Sequence, residues 1–238
     1  MDRVCLFIDA ANFYHIALKR LGVQEVDFDF EAFAAFLIAS RRAADRGKRF
    51  YVGTVREGKN PHESGLAMRN QTALFSSLIS SHWIIQTSKL RTRTERLMVD
   101  DRFERKDALL RAGITEIVYE RSREKGIDVK LATDLVVGAV DDKYDIAIVV
   151  SSDTDLVPAI DWTRKRCNKR VEYVGFSFPE ITQPGTERIL EAVRPTKTLI
   201  FNSDVQRVLV GEELRPFIRE QLTPSPSAGQ ENRKDLVA

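Results

Sequence analysis

The sequence predicts an α/β fold built on a mostly parallel sheet. Short runs of Val, Ile and Phe alternate along the chain with longer stretches whose apolar residues recur at helical spacing. Two of those runs, residues 4–8 and 146–150, stop abruptly at polar and acidic residues and pass at once into a helical pattern. Open parallel sheets bind ligands in the crevice at the carboxyl ends of their strands. A carboxylate at such an end is therefore a candidate for function.

The first strand, residues 4–8, ends at Asp9, and Asn12 follows three residues on. Phe13, Ile16, Ala17 and Leu21 then fall at helical spacing, and Gly22 closes that helix. A second helix is expected over 30–44, with Phe30, Phe33, Ala34, Leu37 and Ile38 as its stripe and Gly47 beyond its end. A strand over 49–55, a loop over 56–61, a helix over 63–81 and a short strand over 83–87 complete the first half. Residues 88–126 are less regular. Lys89, Arg91, Arg93 and Arg96 are followed by Asp100, Asp101 and the run RFERK. Alternating charge of this kind is usually solvated surface. In an extended chain, however, Arg91 and Arg93 share one side and can follow a phosphate backbone. Residues 114–119 suggest a strand or edge segment, and 121–126 a charged loop.

The stretch 126–142 reads as a helix with Asp128 at the N-cap position. Leu131, Asp134, Leu135 and Gly138 fall at i, i+3, i+4 and i+7, so Asp134 lies within the apolar stripe. A carboxylate there is costly unless it is paired or bound to a cation. A buried Asp bonded to backbone N–H groups or to an arginine is the alternative. Gly138 would let another backbone approach closely. Next comes DIAIVVSSDTD: a strand over 146–150, two serines, then Asp153 and Asp155. Pro158 suits the first turn of the helix that follows. Asp155, nearest that helix, suits a cap; Asp153 is less well explained this way, because one helix needs one cap.

Beyond this unit the sequence predicts a strand over 170–176, a Pro- and Gly-containing loop over 177–185, a short helix over 186–193 and a last strand over 198–201. A terminal helix over 203–222, broken near Gly211 and Pro216, follows. The expected organisation is a domain over 1–201, a helical extension over 202–222 and a disordered tail over 223–238.

A chain of 238 residues holds one sizeable domain with extensions, and its 43% hydrophobic content is ordinary for a globular fold. The 37 basic and 35 acidic residues leave a net charge of only +2, so any basic surface must be local. Cys5 and Cys167 read as reduced core or near-core thiols, as in cytosol. The N-terminal apolar run is too short for a signal peptide, and no run approaches a membrane span. The expectation is a soluble cytoplasmic protein. His15, His62 and His82 are scattered, and no zinc-type Cys/His spacing occurs.

Asp9, Asp128, Asp134, Asp153 and Asp155 come from separate segments that a parallel sheet would bring to one edge. Two like charges about 4 Å apart repel by about 4 kcal/mol at an effective dielectric near 20. Such a cluster calls for divalent cations or protonation. Its ligands are all oxygen, which favours Mg²⁺ or Mn²⁺ over Zn²⁺. Carboxylates holding such ions typically activate a water and neutralise a phosphoryl transition state.

Three motifs, FIDAAN, KGIDVKLATDLVVGA and VVSSDTDLVPAIDWTRKRCNKRVEYVGF, resemble the NYN domain (LabA-like) family of PIN-like metal-dependent ribonucleases. The similarity covers about residues 3–201. It implies a PIN-like three-layer α/β/α sandwich and a Mg²⁺-dependent ribonuclease. The family's metal-binding acids fall on Asp9, Asp128, Asp134 and Asp153, with Asp155 in the same loop, and Asn12 matches its polar residue beside the first acid. The family often has Gly where this chain has Ala10 and Ser152, and Ser where it has Thr154. Ser152 adds bulk and a hydroxyl at the acidic loop. No acid is lost.

The expected function is hydrolysis of RNA phosphodiester bonds at an acidic Mg²⁺ or Mn²⁺ site. The rival is an RNA-binding or regulatory domain with little turnover. A phosphatase or receiver-like domain would want a second Asp where Ala11 stands, and a Toprim-like domain would want Glu in place of Asp9. RNA is the expected partner, with Arg91, Arg93, Arg164, Lys165 and Arg166 as candidate backbone contacts near the acidic cleft. A homo-oligomer or a protein partner is left open.

Overall fold

The computed structural model describes residues 1–54, 61–89, 91–123, 126–178 and 203–219. Its centre is a six-stranded, all-parallel sheet. The first strand, β1 (Arg3–Asp9), is flanked on one side by β2 (Arg42–Thr54) and then β3 (Ile84–Lys89). On its other side lie β6 (Ile146–Val150), β7 (Arg170–Ser177) and β8 (Val205–Val210). The strand order is therefore β3-β2-β1-β6-β7-β8. The chain builds outward from β1 in one direction, then returns to its other side and builds outward again. The order reverses between β1 and β6, and that is where such sheets open a crevice.

Alternation along the strands sorts side chains into two cores. Val4, Leu6 and Ile8 join Phe50, Val52, Ile148 and Val150 beneath α1 (Ala10–Phe13, continuing as a π turn over Tyr14–Leu18) and α2 (Phe30–Ile38). This core is rich in aromatic rings: Phe13 touches Phe28, Phe30, Phe33 and Phe176. Cys5, Phe7, Tyr51, Ala147 and Val149 face the other way, under α5 (Ile127–Val140) and α6 (Val157–Cys167). The result is the expected three-layer α/β/α sandwich. Burial pushes the Cys5 thiol up to about 12, so it packs as an inert apolar group.

The helix expected over 30–44 ends at Ile38, where the apolar stripe runs out and Ala39 turns to a positive φ of 54°. The chain enters β2 at Arg42, seven residues before the expected start. Pairing with β1 begins at Arg3–Arg42, slips through a bulge, and resumes at Leu6–Lys48. Gly47 makes the bulge possible, because a Cβ there would lie 2.8 Å from the Ala44 carbonyl oxygen and 2.9 Å from that of Val4. The third helix, α3, spans Pro61–Ser80.

Residues 88–126 hold more structure than expected. β4 (Arg91–Met98) pairs antiparallel with β5 (Glu116–Arg123), and α4 (Lys106–Arg111) lies between them in sequence. These two strands form a ribbon separate from the main sheet.

The helical extension expected over 202–222 is corrected by β8. Val205, Arg207 and Leu209 alternate with Gln206, Val208 and Val210, and this β-branched period-two run adds the sixth strand beside β7. Only α7 (Gly211–Leu214) and a 3₁₀ turn over Arg215–Phe217 follow it. Phe217 then packs on Phe28 and Phe33, and the Asp29 N–H donates to the Phe217 carbonyl at 2.7 Å. This segment is part of the domain. The loop, helix and strand expected over 179–201 and the tail over 223–238 lie outside the described residues. Among the described residues, no helix is long and apolar enough to cross a membrane.

Candidate functional site

Asp9 is the last residue of β1 and is 4% exposed. It caps α1: Oδ1 accepts from the Asn12 N–H at 3.1 Å. Its other oxygen, Oδ2, accepts from Ser151 Oγ at 2.9 Å. Ser151 follows β6 directly, so parallel pairing of Ile8 with Val150 sets it beside Asp9. Its hydroxyl also accepts from the Asp153 N–H at 3.1 Å, which ties the acidic loop to β1. Burial pushes the Asp9 carboxyl up to about 6, with a smaller contribution from the negative charges of Asp128 and Asp153.

A second clasp lies beside the first. Asn12 Oδ1 accepts from the Ser152 N–H at 2.9 Å, and Asn12 Nδ2 lies 3.1 Å from Ser152 Oγ. The hydroxyl that Ser152 brings to this loop thus closes a polar contact with α1.

Asp153 is half-buried, and its Oδ1 accepts from the Asp155 N–H at 2.9 Å. It caps the 3₁₀ turn Thr154–Leu156 that leads into α6. The cap is therefore Asp153, not Asp155 as the sequence suggests, because the chain takes a 3₁₀ turn before the α-helix begins. Asp155 is exposed, and Pro158 does sit in the first turn of α6. Asp128 lies one residue inside α5; the N-cap is Gly126, at φ 87°. Burial raises the Asp128 carboxyl, and Asp153 and Asp155 raise it further. Asp9, Asp128, Asp153 and Asp155 are thus electrostatic neighbours at the carboxyl edge, and no ion pair links any of them to a described cation.

Asp134 has different partners. Its Oδ2 accepts from the Tyr51 hydroxyl at 2.8 Å and pairs with Arg49 Nη1 at 2.9 Å. Arg49 and Tyr51 are two residues apart on β2, so both point at the face of the sheet that α5 covers. The charge that seemed to need a cation has one in Arg49, which the sequence reading missed. The available signal was an arginine in a strand that packs beneath that helix. Gly138 likewise receives a ring rather than a backbone: a Cβ there would lie 2.9 Å from Tyr144 Cε1.

The basic run on α6 does not border the acidic cleft. The helix starts at the carboxyl edge and runs back across the sheet, so Arg164, Lys165 and Arg166 fall about 10–14 Å along its axis from its start, towards the opposite edge. Arg164 is held by Asp204 at 2.6 Å and Lys165 by Asp161 at 2.6 Å. The run suits the negative end of the helix dipole.

Among the described residues, no three Asp, Glu, His or Cys side chains stand close enough together to hold a metal ion by themselves. The donor chemistry nonetheless suits a hard cation. Mg²⁺ keeps several of its waters and is commonly held by only one or two carboxylates. Asp9, Asp128 and Asp153 supply such oxygens, and among the described residues no cation pairs with them.

Fold and site together define an α/β domain with carboxylates gathered where the strand order of a parallel sheet reverses. The NYN domain pattern matches residues 3–196, and the chain belongs to that family, whose members are generally nucleases. A protein of unknown function from Vibrio parahaemolyticus, known from a crystal structure, is similar at 15% identity over 87% of this chain and 92% of that one, with a TM-score of 0.44. No curated protein matches the chain.

Proposed function

We propose that the protein is a metal-dependent ribonuclease that hydrolyses RNA phosphodiester bonds at the edge between β1 and β6. The observation that carries this reading is the set of mutually repelling carboxylates Asp9, Asp128 and Asp153, unpaired with any described cation, in a chain of a family of nucleases. Mg²⁺ or Mn²⁺ bound there supplies an activated water and neutralises charge on the phosphoryl group. The chain's own residues hold the site in shape. Asn12 N–H and Ser151 Oγ–H fix the two oxygens of Asp9, and the Asp155 N–H fixes one oxygen of Asp153. The Asn12–Ser152 clasp keeps the acidic loop against α1.

The engagement of Asp134 by Arg49 and Tyr51 favours a second reading, a domain that binds RNA with little turnover. One experiment separates the two. Labelled RNA, single- and double-stranded, is incubated with the protein and with Asp153→Asn, in Mg²⁺, in Mn²⁺ and in chelator. Cleavage by the wild type that needs metal and falls by orders of magnitude in the variant supports the nuclease. Cleavage by Asp153→Asn at the wild-type rate rules out this site. RNA binding without cleavage in any metal supports the second reading.

A further inference from the structure

The helical segment that opens at Asp9 runs along the strand ends toward β8. Asn12 meets Ser152 in the loop after β6. Phe13 lies against Phe176, near the end of β7, with ring centroids 4.9 Å apart. The Arg20 guanidinium stands over the ring of Phe178, one residue past β7, at 5.7 Å from its centroid. Leu21 reaches the end of β8, where a Cβ at Gly211 would lie 3.5 Å from Leu21 Cδ2. Residues 10–21 therefore start at the carboxylates and pass the carboxyl ends of β6, β7 and β8 in turn.

A π turn sorts the side chains of this segment. The Lys19 N–H donates to the Tyr14 carbonyl, five residues back, at 2.8 Å. The wider spiral sets residues four apart nearly in line, and such turns are frequent at functional sites. Asn12, Ile16 and Arg20 form one row, which faces the loops after β6 and β7. Ala11, His15 and Lys19 form the row beside it. His15, Lys19 and Arg20 are exposed, whereas Phe13, Ala17 and Leu18 are buried in the core.

The exposed side is cationic. From Ala10 to Gln24 the chain holds no Asp or Glu, in a protein with 35 acidic residues among 238. Among the described residues no carboxylate pairs with Lys19 or Arg20. The acids of α7, close to Leu21, are engaged elsewhere: Glu212 pairs with Arg215 at 2.5 Å, and Glu213 accepts from the Val210 N–H at 2.9 Å. The Phe178 ring places the Arg20 charge without cancelling it. His15 adds an exposed ring, nearly perpendicular to that of Tyr14, with centroids 5.4 Å apart. His15 and Lys19 follow Asp9 by at most about 9 and 15 Å along the helix axis. Two adjacent cations with no counter-charge add nothing to the fold, but with an exposed ring beside them they suit a single strand of nucleic acid.

We propose that this face, at His15, Lys19 and Arg20, is a track for the single-stranded RNA that reaches the acidic edge. Lys19 and Arg20 take phosphates, and a base stacks on His15. The two cations also offset the negative field of the carboxylates, which would otherwise turn a polyanion away. The strand thus lies along the ends of β6, β7 and β8. The inference rests on the nuclease reading for the destination of the strand, not for its binding.

The test measures binding of a labelled single-stranded RNA in chelator, across about 50 to 200 mM salt. Removing two phosphate contacts by Lys19→Ala with Arg20→Ala should lower the slope of log affinity against log salt by about 1.4. Arg166→Ala, an exposed cation of α6 towards the opposite edge, should leave the slope unchanged. Lys19→Arg with Arg20→Lys should restore most of it. His15→Ala should weaken binding about fivefold or more at every salt concentration. Near-wild-type melting of each variant confirms folding. An unchanged slope in the double alanine variant, or an equal loss in Arg166→Ala, overturns the track, and wild-type affinity in His15→Ala overturns the stacking contact. A wild type that does not bind RNA also overturns the track, and the cationic face then serves an acidic protein partner. Binding that follows the expected pattern without cleavage in Mg²⁺ or Mn²⁺ defeats the nuclease reading alone.

Discussion

Asp134 shows how far one residue can be read. A carboxylate in an apolar helical stripe must be neutralised, and helical spacing says that much. Whether the partner is a metal or an arginine depends on which strand lies under the helix, and spacing along one element is silent on that. Here β2 supplies Arg49 and Tyr51. Replacing Asp134 by Asn would leave the guanidinium of Arg49, about one-fifth exposed, without its counter-charge. Unfolding in urea should show a loss of about 1–3 kcal/mol, the range for an unsatisfied, partly buried group. Asp153→Asn is the contrast. Asn caps a turn as well as Asp does, and the change removes repulsion among the acids, so it should melt at or slightly above the wild-type temperature in chelator. Equal losses in both would mean that Asp153 is as firmly paired as Asp134.

At the same scale, Asp145 joins the starts of β1 and β6. It accepts from the Arg3 backbone N–H at 2.8 Å and from the Arg3 guanidinium at 2.7 and 3.0 Å. These bonds hold its carboxyl well below the usual range. A depressed carboxylate contributes stability above its unfolded pKa, near about 4, and loses it as pH falls through the folded value. Asp145→Asn should therefore be less stable than wild type at neutral pH, and the gap should narrow in acid below about pH 4. Urea midpoints at both pH values check this; a gap that widens in acid would contradict it.

Among the elements, β2 is the one whose limits were misjudged most. The segment 39–48 is polar and rich in Arg and Ala, which suits a helix as well as an edge of a strand. The decision falls to the bulge opposite β1 and to Gly47, whose missing Cβ admits two carbonyl oxygens. Both are backbone atoms and cannot swing aside. Gly47→Ala should cost about 1–3 kcal/mol through forced backbone movement, read as a lower melting temperature. A neutral outcome would show that the bulge is pliable. The ribbon and β8 teach the same lesson. Both are short and partly polar, and each becomes a strand because a partner with matching register is at hand.

On the scale of the molecule, the reversal of strand order between β1 and β6 is what brings residues 9, 128 and 153 together. If a divalent ion binds there, it binds the folded chain and not the unfolded one, so stability should rise with its concentration by mass action. Mg²⁺ or Mn²⁺ should raise the melting temperature of the wild type, and raise that of Asp153→Asn less. Equal shifts in the two proteins would place the ion elsewhere.

The sequence by itself determined the α/β class, the two strand-to-helix units that end in Asp9 and Asp153, and the NYN motifs, because these are local patterns of polarity and spacing. Tertiary structure alone decided which carboxylates have no cation partner among the described residues. It seated Ser151 on Asp9, matched Asp134 with Arg49, and carried Arg164–Arg166 to the far edge. Each of these depends on which strand lies beside which, and strand neighbours are set by register and packing across many residues of chain rather than by any stretch within it.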